Sequence, residues 1–331
     1  MNQATAIALI GVASLFGFLT GLHDSAKLVA TVISSRALSG RVALGLVALV
    51  GFCGAFVLGT AVAETLGRDL ASPHLYTVPT LFAALLSAVT WSLFTWWRGI
   101  PSSSSHALVG GLIGALSMQA GIWAINPSGL KKVLIALLFS PVLGLVGGYL
   151  FTRLAFWLCR HATPRANNVL RIGQVPTALA LALSHGSNSA QRTMGVIVLS
   201  LMVCGIQSYF TVPSWVTALS AAAMACGMGV GGWRLIKTMG ARFYRVRPIH
   251  GFNAQLASAS VIAAAALLGG PVSSTHVVSS AILGAGSAER MSKVRWNIAE
   301  EVVAAWLLTI PGTALMGAVF HQIASHFTET R

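Results

Sequence analysis

Four short polar motifs lie within long apolar stretches of the chain and hold residue types that could bind an ion. Two of them carry charges: residues 21–27 are GLHDSAK and residues 184–192 are SHGSNSAQR. The other two follow a proline and are rich in serine: residues 101–110 are PSSSSHALVG and residues 271–280 are PVSSTHVVSS. Hydroxyl, amide, imidazole and cationic groups can all donate hydrogen bonds to an oxyanion, so these motifs are candidates for an anion site.

The two serine-rich motifs predict helix starts. Proline favours the first turn of a helix and serine favours the N-cap, so we expect Pro101 and Pro271 each to open a half-helix. The unpaired amides and the positive dipole end would then face an anion. Small hydroxylated residues also allow close helix packing, but two such clusters at equivalent places favour the anion site. The hydroxyl donors available are Ser102, Ser103, Ser104, Ser105, Ser273, Ser274 and Thr275.

Charged residues inside apolar stretches form a second set of candidates. A charge at the centre of a membrane helix costs about 2.5 to 3.5 kcal/mol, so such residues should face the bundle interior and pair or bind a ligand. These residues are Asp24, Lys27, Glu64 and Arg192. Two alternatives stay open: the three-residue spacing of Asp24 and Lys27 also suits a structural ion pair, and Glu64 could be interfacial. Four histidines could carry protons or simply pack with a hydrogen bond, namely His23, His106, His185 and His276.

The motifs occur in two matched pairs, which indicates an internal duplication. The charged motifs align as Gly-x-(His/Asn)-(Asp/Ser)-x-x-(Lys/Arg), and one serine-rich motif follows each of them. The aligned residues are Gly21 with Gly186, His23 with Asn188, Asp24 with Ser189, and Lys27 with Arg192. We therefore expect two transmembrane repeats, residues 1–160 and 161–331.

The composition shows what kind of protein must position these motifs. Of 331 residues, 55% are hydrophobic and only 8% charged, and the mean hydropathy is +0.78. This excludes a soluble enzyme, in which roughly a quarter of the residues would be charged. Apolar stretches near the ~20 residues of a membrane helix recur along the chain. The expected fold is an all-α polytopic membrane protein.

The basic residues predict the topology. The formal charge of +14 could indicate nucleic-acid binding, but the charges lie mostly between apolar stretches, where they mark cytoplasmic loops and meet anionic lipid. The loops expected in the cytoplasm contain Arg36, Arg41 and ranges 153–171, 234–247 and 290–295. The segments around Pro101 and Pro271 must then re-enter from the outside and the inside, respectively. Both termini lie outside, and broken helices meet near the midplane of two inverted repeats, as in secondary transporters.

Signatures of enzymes and metal sites are missing from the sequence. The G-x-S-x-G, HExxH and CxxC motifs do not occur, so neither a hydrolase, a metal site nor a cofactor is expected.

The motifs resemble the signature regions of the inorganic phosphate transporter (PiT) family. The similar segments are GLHDSAKLVATVISSRAL, PSSSSHALVGGLIGAL, SHGSNSAQRTMG and GGPVSSTHVVSSAILGAG followed by VRW. The resemblance implies a secondary transporter that takes up phosphate with Na⁺ or H⁺, and bacterial members of the His-Asp type are thought to use protons. By position, it implies a substrate and ion site at Asp24, Thr31, Ser103, Ser104, His185, Asn188, Gln191, Ser273, Ser274 and Thr275.

Three positions depart from the family pattern. Family members normally have Asn at Lys27, Asp at Ser189 and usually Glu at Gln255, so each departure shifts the local charge toward positive. We predict that Na⁺ coupling is lost or weakened, leaving protons as the coupling ion. The residues assigned to coupling or charge substitution are Asp24, Lys27, Glu64, Ser189 and Arg192.

The same departures bear on the substrate. Without a carboxylate acceptor, the site binds HPO₄²⁻ less well, because the hydrogen of that anion lacks a partner; sulfate, which has no such hydrogen, is favoured instead. Asp24 could still accept the hydrogen of HPO₄²⁻. Phosphate uptake is the first hypothesis, followed by a sulfate permease and by a regulatory, non-transporting relative. The expected location is the inner (plasma) membrane, and a homo-oligomer remains open.

Overall fold

Helices form almost all of this computed structural model, which describes residues 3–241, 247–294 and 296–329. The expected all-α fold is confirmed. The twelve α-helices in those residues are α1 (Gln3–Ser34), α2 (Gly40–Gly54), α3 (Ala61–Glu64), α4 (Val78–Arg98), α5 (Ser104–Ala120), α6 (Pro127–Leu158), α7 (Ala166–Val203), α8 (Ser214–Val230), α9 (Trp233–Ala241), α10 (Pro248–Leu267), α11 (Ser274–Glu289) and α12 (Trp296–Glu329). Helix α3 continues as a π-helical turn, Thr65–Asp69.

Several helices expose apolar surface of the kind that contacts lipid. In the described part of the chain, four are long and apolar enough to cross a membrane: α1, α4, α6 and Val303–His326 of α12. Helix α6 leaves Leu138, Leu150 and Leu158 more than half exposed. Large contiguous apolar surfaces are rare on soluble monomers, so these faces fit a bilayer.

Helices α4 and α5 form one hairpin, and α10 and α11 form another. The first arm of each ends next to a glycine in the left-handed region, Gly99 (φ 68°) and Gly269 (φ 69°), where a side chain would be strained. The outer ends of the first hairpin meet through a 3.3 Å hydrogen bond from Thr77 to Gln119. In the second hairpin, Arg247 and Glu289 pair at 2.7 Å, although they stand 42 residues apart. Each hairpin therefore returns to the face from which it started.

The two hairpins start from opposite ends of α1, a helix about 48 Å long at 1.5 Å per residue. At its beginning, Thr5 shares a cavity with Val78, the first residue of the α4–α5 hairpin, and with Ala324. Just beyond its other end, Ser35 donates to Gln174 at 3.1 Å, and Gln174 lies against Gly251 of α10. Helix α1 therefore begins on the face where α12 ends.

Glycines let the hairpin helices pack closely against long neighbours. Helix α6 packs on α10 and α11, and α12 packs on α4 and α5. A Cβ at Gly144 or Gly148 would meet the carbonyls of Val277 and Ala281 on α11. Such small-residue interfaces bring membrane helices together. The arrangement resembles a duplication, but the division into repeats at residue 160 stays a prediction.

The polar motifs of α1 and α7 do not break their helices, so the expected interruption there is wrong. Both helices run continuously through residues 21–27 and 184–192. The motif glycines make room for neighbours instead: Gly21 lies against the Met224 carbonyl and Gly186 against that of Gly51. The polar side chains find partners on other helices, so the backbone hydrogen bonds remain intact. Residues 242–246 and Arg295, used in the topology prediction, lie outside the described residues.

Candidate functional site

The tips of both hairpins are capped by serine. Ser103 accepts a hydrogen bond from the His106 amide at 3.2 Å, and Ser273 accepts one from the His276 amide at 3.3 Å. The α-helices begin at Ser104 and Ser274, so the expectation that Pro101 and Pro271 open them is wrong. The prolines lie two residues before the caps because the serine hydroxyls must satisfy the first free amides.

The two capped tips touch each other. The Ser273 hydroxyl donates to the Ser103 hydroxyl at 2.8 Å, and the Thr275 hydroxyl donates to the Ser102 carbonyl at 3.2 Å. Ser104, the first residue of α5, is buried beside them. Two helix N-termini therefore converge, each with a partial positive charge and free amides.

A buried group of charges on α1 and α7 lies against these tips. One carboxylate oxygen of Asp24 is 2.6 Å from Lys27 Nζ, and the other is 2.9 Å from His185 Nε2 and 3.9 Å from Arg192 Nη2. All four side chains are at most 3% exposed. The expectation that Asp24, Lys27 and Arg192 face the bundle interior is confirmed.

Lys27 joins this charge cluster to the second hairpin. Besides Asp24, its ammonium donates to Ser274 Oγ at 2.6 Å and to Thr275 Oγ1 at 3.1 Å. An ammonium group has three hydrogens, so each one has an oxygen acceptor. One carboxylate and two hydroxyls therefore bind the ammonium group.

Arg192 joins the cluster to the first hairpin. Its guanidinium donates to the hydroxyl of Ser105 and to the Ser189 hydroxyl at 2.5 Å. Ser189 also lies 3.2 Å from His185 Nδ1. The serine that stands where the family has Asp therefore serves as a neutral partner of the arginine.

The charges of this cluster favour an oxyanion. One lysine, one arginine and two helix N-termini face one carboxylate, and charge-assisted donors of this kind hold phosphate-like groups well. The cavity beside Lys27 and Ser102 measures only about 10 Å³, close to the volume that one water molecule needs. A tetrahedral anion would fit there only if the hairpin tips separated.

Three other predicted residues lie near the cluster with partners of their own. Asn188 donates to the Gly270 carbonyl at 3.2 Å, and Gln191 accepts from the Val62 amide at 2.7 Å. Asn188 Oδ1 and Gln191 Nε2 are buried and have no hydrogen-bond partner in the described part of the chain. Thr31 accepts from Gln255 Nε2 at 2.6 Å. These side chains flank the charged group, and these hydrogen bonds join them to residues other than Asp24.

Glu64 does not face the bundle interior, so that expectation is wrong. Its side chain is exposed and accepts a hydrogen bond from Thr60 at 3.3 Å. It lies on the last turn of the short helix α3, before the π-helical turn, which aims it away from the neighbouring helices.

The remaining histidines have different environments. His23 Nε2 contacts the Ser92 carbonyl at 2.8 Å, a packing role. The rings of His106 and His276 lie 4.4 Å apart between the hairpins, and His276 stacks on Trp306 at 3.8 Å. Trp306 could not be predicted as part of the site, because an isolated tryptophan in an apolar helix resembles an ordinary lipid-facing residue.

The helical fold and the apolar spans define a class of protein: a multi-pass membrane protein. Its candidate site is the buried cationic cluster between two hairpin tips. Comparison with known proteins agrees with this class. The profile of the phosphate transporter family matches residues 20–317. The chain belongs to this family, as its motifs indicated, and it is a membrane transport protein rather than an enzyme.

The relatives match along the whole chain. A probable low-affinity inorganic phosphate transporter of Rhizobium meliloti (strain 1021) is 42% identical over 320 residues, 96% of each chain. One of Bacillus subtilis (strain 168) is 38% identical over 323 residues, again 96% of each. A solved structure described as the sodium-dependent phosphate transporter superposes with a TM-score of 0.87, covering 97% of this chain and 99% of the other. At 21% identity, that likeness concerns the fold alone.

Proposed function

We propose that this protein takes up inorganic phosphate across the plasma (inner) membrane together with protons and without Na⁺. The observation that carries the proposal is the position of Lys27, whose ammonium is bound by Asp24 and by the first two residues of α11. The Lys27 ammonium is thus a cation that belongs to the chain itself, and it lies where the charge cluster contacts a hairpin tip.

Phosphate is supported as the substrate by the relatives and by the chemistry of the site. The Rhizobium and Bacillus proteins are both described as phosphate transporters. Arginine, lysine, serine hydroxyls and helix N-termini are the groups that bind phosphate oxygens in proteins. All of them converge where Ser103 and Ser273 meet.

Independence from Na⁺ is supported at two positions. Lys27 supplies a positive charge beside Asp24, and a bound Na⁺ would be repelled there. At Gln255, the amide oxygen accepts from Thr177 at 2.7 Å while the amide nitrogen donates to Thr31. An amide satisfied on both sides links α1, α7 and α10 without a cation, whereas a carboxylate at this position would lack the hydrogen donated to Thr31.

The energetics of uptake call for a co-transported cation, and we propose protons in this role. Importing a dianion against 100 mV, negative inside, costs about 4.6 kcal/mol at 2.3 kcal/mol per charge. Because Lys27 stays attached to the chain, it neutralises charge in the site but carries none across. A moving cation must enter with the phosphate, and protons meet that need.

We place both termini on the external side, and we treat residues 1–160 and 161–331 as inverted repeats. Two observations support this orientation. Thr5 and Ala324 share one face, and Arg247 lies at the start of the hairpin on the opposite face, where a basic residue indicates the cytoplasmic side. The hairpins then enter from opposite sides and meet at the substrate site, as in transporters built of inverted repeats.

Sulfate is the second candidate, and one observation favours it. Both oxygens of Asp24 already face cationic or imidazole partners. The carboxylate is thus poorly placed to accept the hydrogen of HPO₄²⁻, whereas sulfate needs donors only.

Uptake into proteoliposomes distinguishes these possibilities. Labelled phosphate or sulfate is supplied outside vesicles with an inward pH gradient, an inward Na⁺ gradient or neither. We expect phosphate accumulation with the pH gradient alone and no further gain from Na⁺. Phosphate accumulation only with Na⁺ would overturn the proposal of proton coupling. Sulfate uptake that excess phosphate does not affect would overturn the assignment of phosphate as the substrate.

A further inference from the structure

The hydroxyl of Ser103 has three hydrogen-bonding neighbours, which fixes the direction of each bond. It lies 3.2 Å from the His106 amide, 2.8 Å from the Ser273 hydroxyl and 2.7 Å from His106 Nδ1. The amide and Ser273 both donate, and a hydroxyl has two lone pairs and one hydrogen. The Ser103 hydrogen must therefore point at His106 Nδ1, which accepts it as the unprotonated nitrogen of a neutral ring.

In this arrangement both cap hydroxyls donate their hydrogens to groups of the protein. Ser273 donates to Ser103, and Ser103 donates to His106. Neither hydrogen points at a ligand, although both hydroxyls lie at the convergence of two helix N-termini. A change in the protonation of His106 would change the direction of both bonds.

The surroundings of His106 link its charge to that of a bound anion. The ring is 4% exposed and faces His276 on α11. The charged residues that act on this ring pair are Arg192 on α7 and Lys27 on α1. Helix α12 contributes Trp306, stacked on His276, and α4 contributes the neutral Thr95, bonded to Ser102. A dianion at the hairpin tips would offset the nearby cations and favour a positive ring.

We propose that His106 takes up the coupling proton and that Ser103 transmits its arrival to the substrate, an inference that rests on the proton-coupled function proposed above. A hydronium ion transfers its proton to Nδ1, so that an N–H bond forms as an O–H bond breaks and a water molecule is released. The new Nδ1–H donates to Ser103, which can no longer accept from Ser273 as well as from the His106 amide. The hydroxyl hydrogens of Ser103 and Ser273 then both turn to the anion.

The second hairpin offers a matched control. His276 occupies the same position in its motif, three residues after the cap, yet no bond from its ring to Ser273 is seen in the described structure. Only its backbone amide contacts that hydroxyl, at 3.3 Å. Its Nε2 is buried and has no hydrogen-bond partner within the described residues. His276 therefore lacks the link between ring and cap that the mechanism requires.

The test counts protons bound with phosphate. The full-length protein in lipid nanodiscs is titrated with inorganic phosphate by calorimetry, in buffers of different ionisation enthalpy and at a pH where free phosphate is the dianion. We expect the unmodified protein to take up protons on binding, His106→Gln to take up about one fewer per phosphate, and His276→Gln to match the unmodified protein. Each variant's unfolding temperature is measured as a check on folding.

A second variant keeps the ring in place. Ser103→Ala retains His106 but removes the link to the anion, so its phosphate affinity should vary less steeply with pH than that of the unmodified protein. Unchanged proton uptake in His106→Gln, a loss of uptake in His276→Gln alone, or an unchanged pH slope in Ser103→Ala would each overturn the inference and leave proton coupling intact. No proton uptake by the unmodified protein would overturn both proposals.

Discussion

The ammonium of Lys27 donates to the hydroxyl of Ser274 at 2.6 Å, joining the last third of α1 to the first residue of α11 across 247 positions of sequence. The same ammonium pairs with Asp24 one helical turn earlier. A fixed positive charge thus holds a hairpin tip against the helix that carries the only carboxylate of the described cluster. Substrate binding and hairpin position should both depend on this contact.

Replacing Lys27 with asparagine should make phosphate binding depend on Na⁺. The Lys27→Asn variant loses a charged donor, so we expect at least tenfold weaker binding in choline buffer, since hydrogen bonds to charged groups contribute about 1.5 to 3 kcal/mol. Na⁺ should recover part of the loss by occupying the place beside Asp24. The measurement is phosphate titration in matched choline and sodium buffers.

Lys132→Asn is the control for this variant. Lys132 also contacts an aspartate and a threonine hydroxyl, Asp69 at 3.1 Å and Thr65 at 2.9 Å, but its side chain is 45% exposed. It should leave phosphate binding unchanged. An equal loss in both variants, or no effect of Na⁺ on Lys27→Asn, would argue against the role of Lys27 as a fixed cation.

Removing the carboxylate of Asp24 should destabilise the protein strongly. In Asp24→Asn, Lys27 and Arg192 remain buried without their anion, and breaking a buried pair in this way costs about 3 to 5 kcal/mol. Asp69→Asn breaks the half-exposed pair with Lys132 and should cost about 1 kcal/mol or less. Thermal unfolding of both variants tests the difference, and added phosphate should raise the unfolding temperature of Asp24→Asn. Similar stability of the two variants would mean that the cluster is well solvated.

The Ser274 hydroxyl should contribute directly to anion binding. Ser274→Ala removes a donor from the hairpin tip and an acceptor from Lys27, so phosphate should bind roughly tenfold more weakly, equivalent to about 1.4 kcal/mol. Ser260→Ala is matched in chemistry but alters an exposed serine of α10 that bonds only its own helix, at the Leu256 carbonyl. Equilibrium binding of labelled phosphate compares them. Unchanged affinity in a folded Ser274→Ala protein would assign this motif to helix packing.

Close packing of α6 on α11 should tolerate no added side chain at Gly148. The Cβ of Gly148→Ala would meet the backbone carbonyl of Ala281, which cannot move without shifting the helix. At the adjacent Gly147, a Cβ would make an ordinary 3.4 Å contact with Ala257. We expect Gly148→Ala to lower the unfolding temperature and Gly147→Ala to leave it nearly unchanged. Equal behaviour would show that the helices can separate freely.

Local features of the site followed from the sequence. The Asp24 and Lys27 pair was predictable because residues three apart adjoin on a helix. The capped hairpin tips were predictable because serine favours the N-cap of a helix. The charge cluster was predictable as buried, since isolated charges in a bilayer need partners.

Features of the site that depend on contacts between distant segments could not be predicted from the sequence. The contacts of Lys27 with α11 and of Arg192 with Ser105 arise only when the two hairpins meet. Hydropathy treated the polar motifs as breaks, although side-chain partners on other helices let α1 and α7 continue. The exposure of Glu64 depends on the short α3 helix and its π-helical turn, which a single apolar stretch in the sequence does not reveal.

The affinity of the unmodified protein for phosphate in the presence and absence of Na⁺ tests the central claim most directly. Titration in nanodiscs with sodium or choline chloride at equal ionic strength compares a free cation with the one that Lys27 supplies. Equal affinity in the two salts is the expected result, because the place beside Asp24 is already occupied. Tighter binding in sodium would contradict the claim that Lys27 replaces a bound Na⁺.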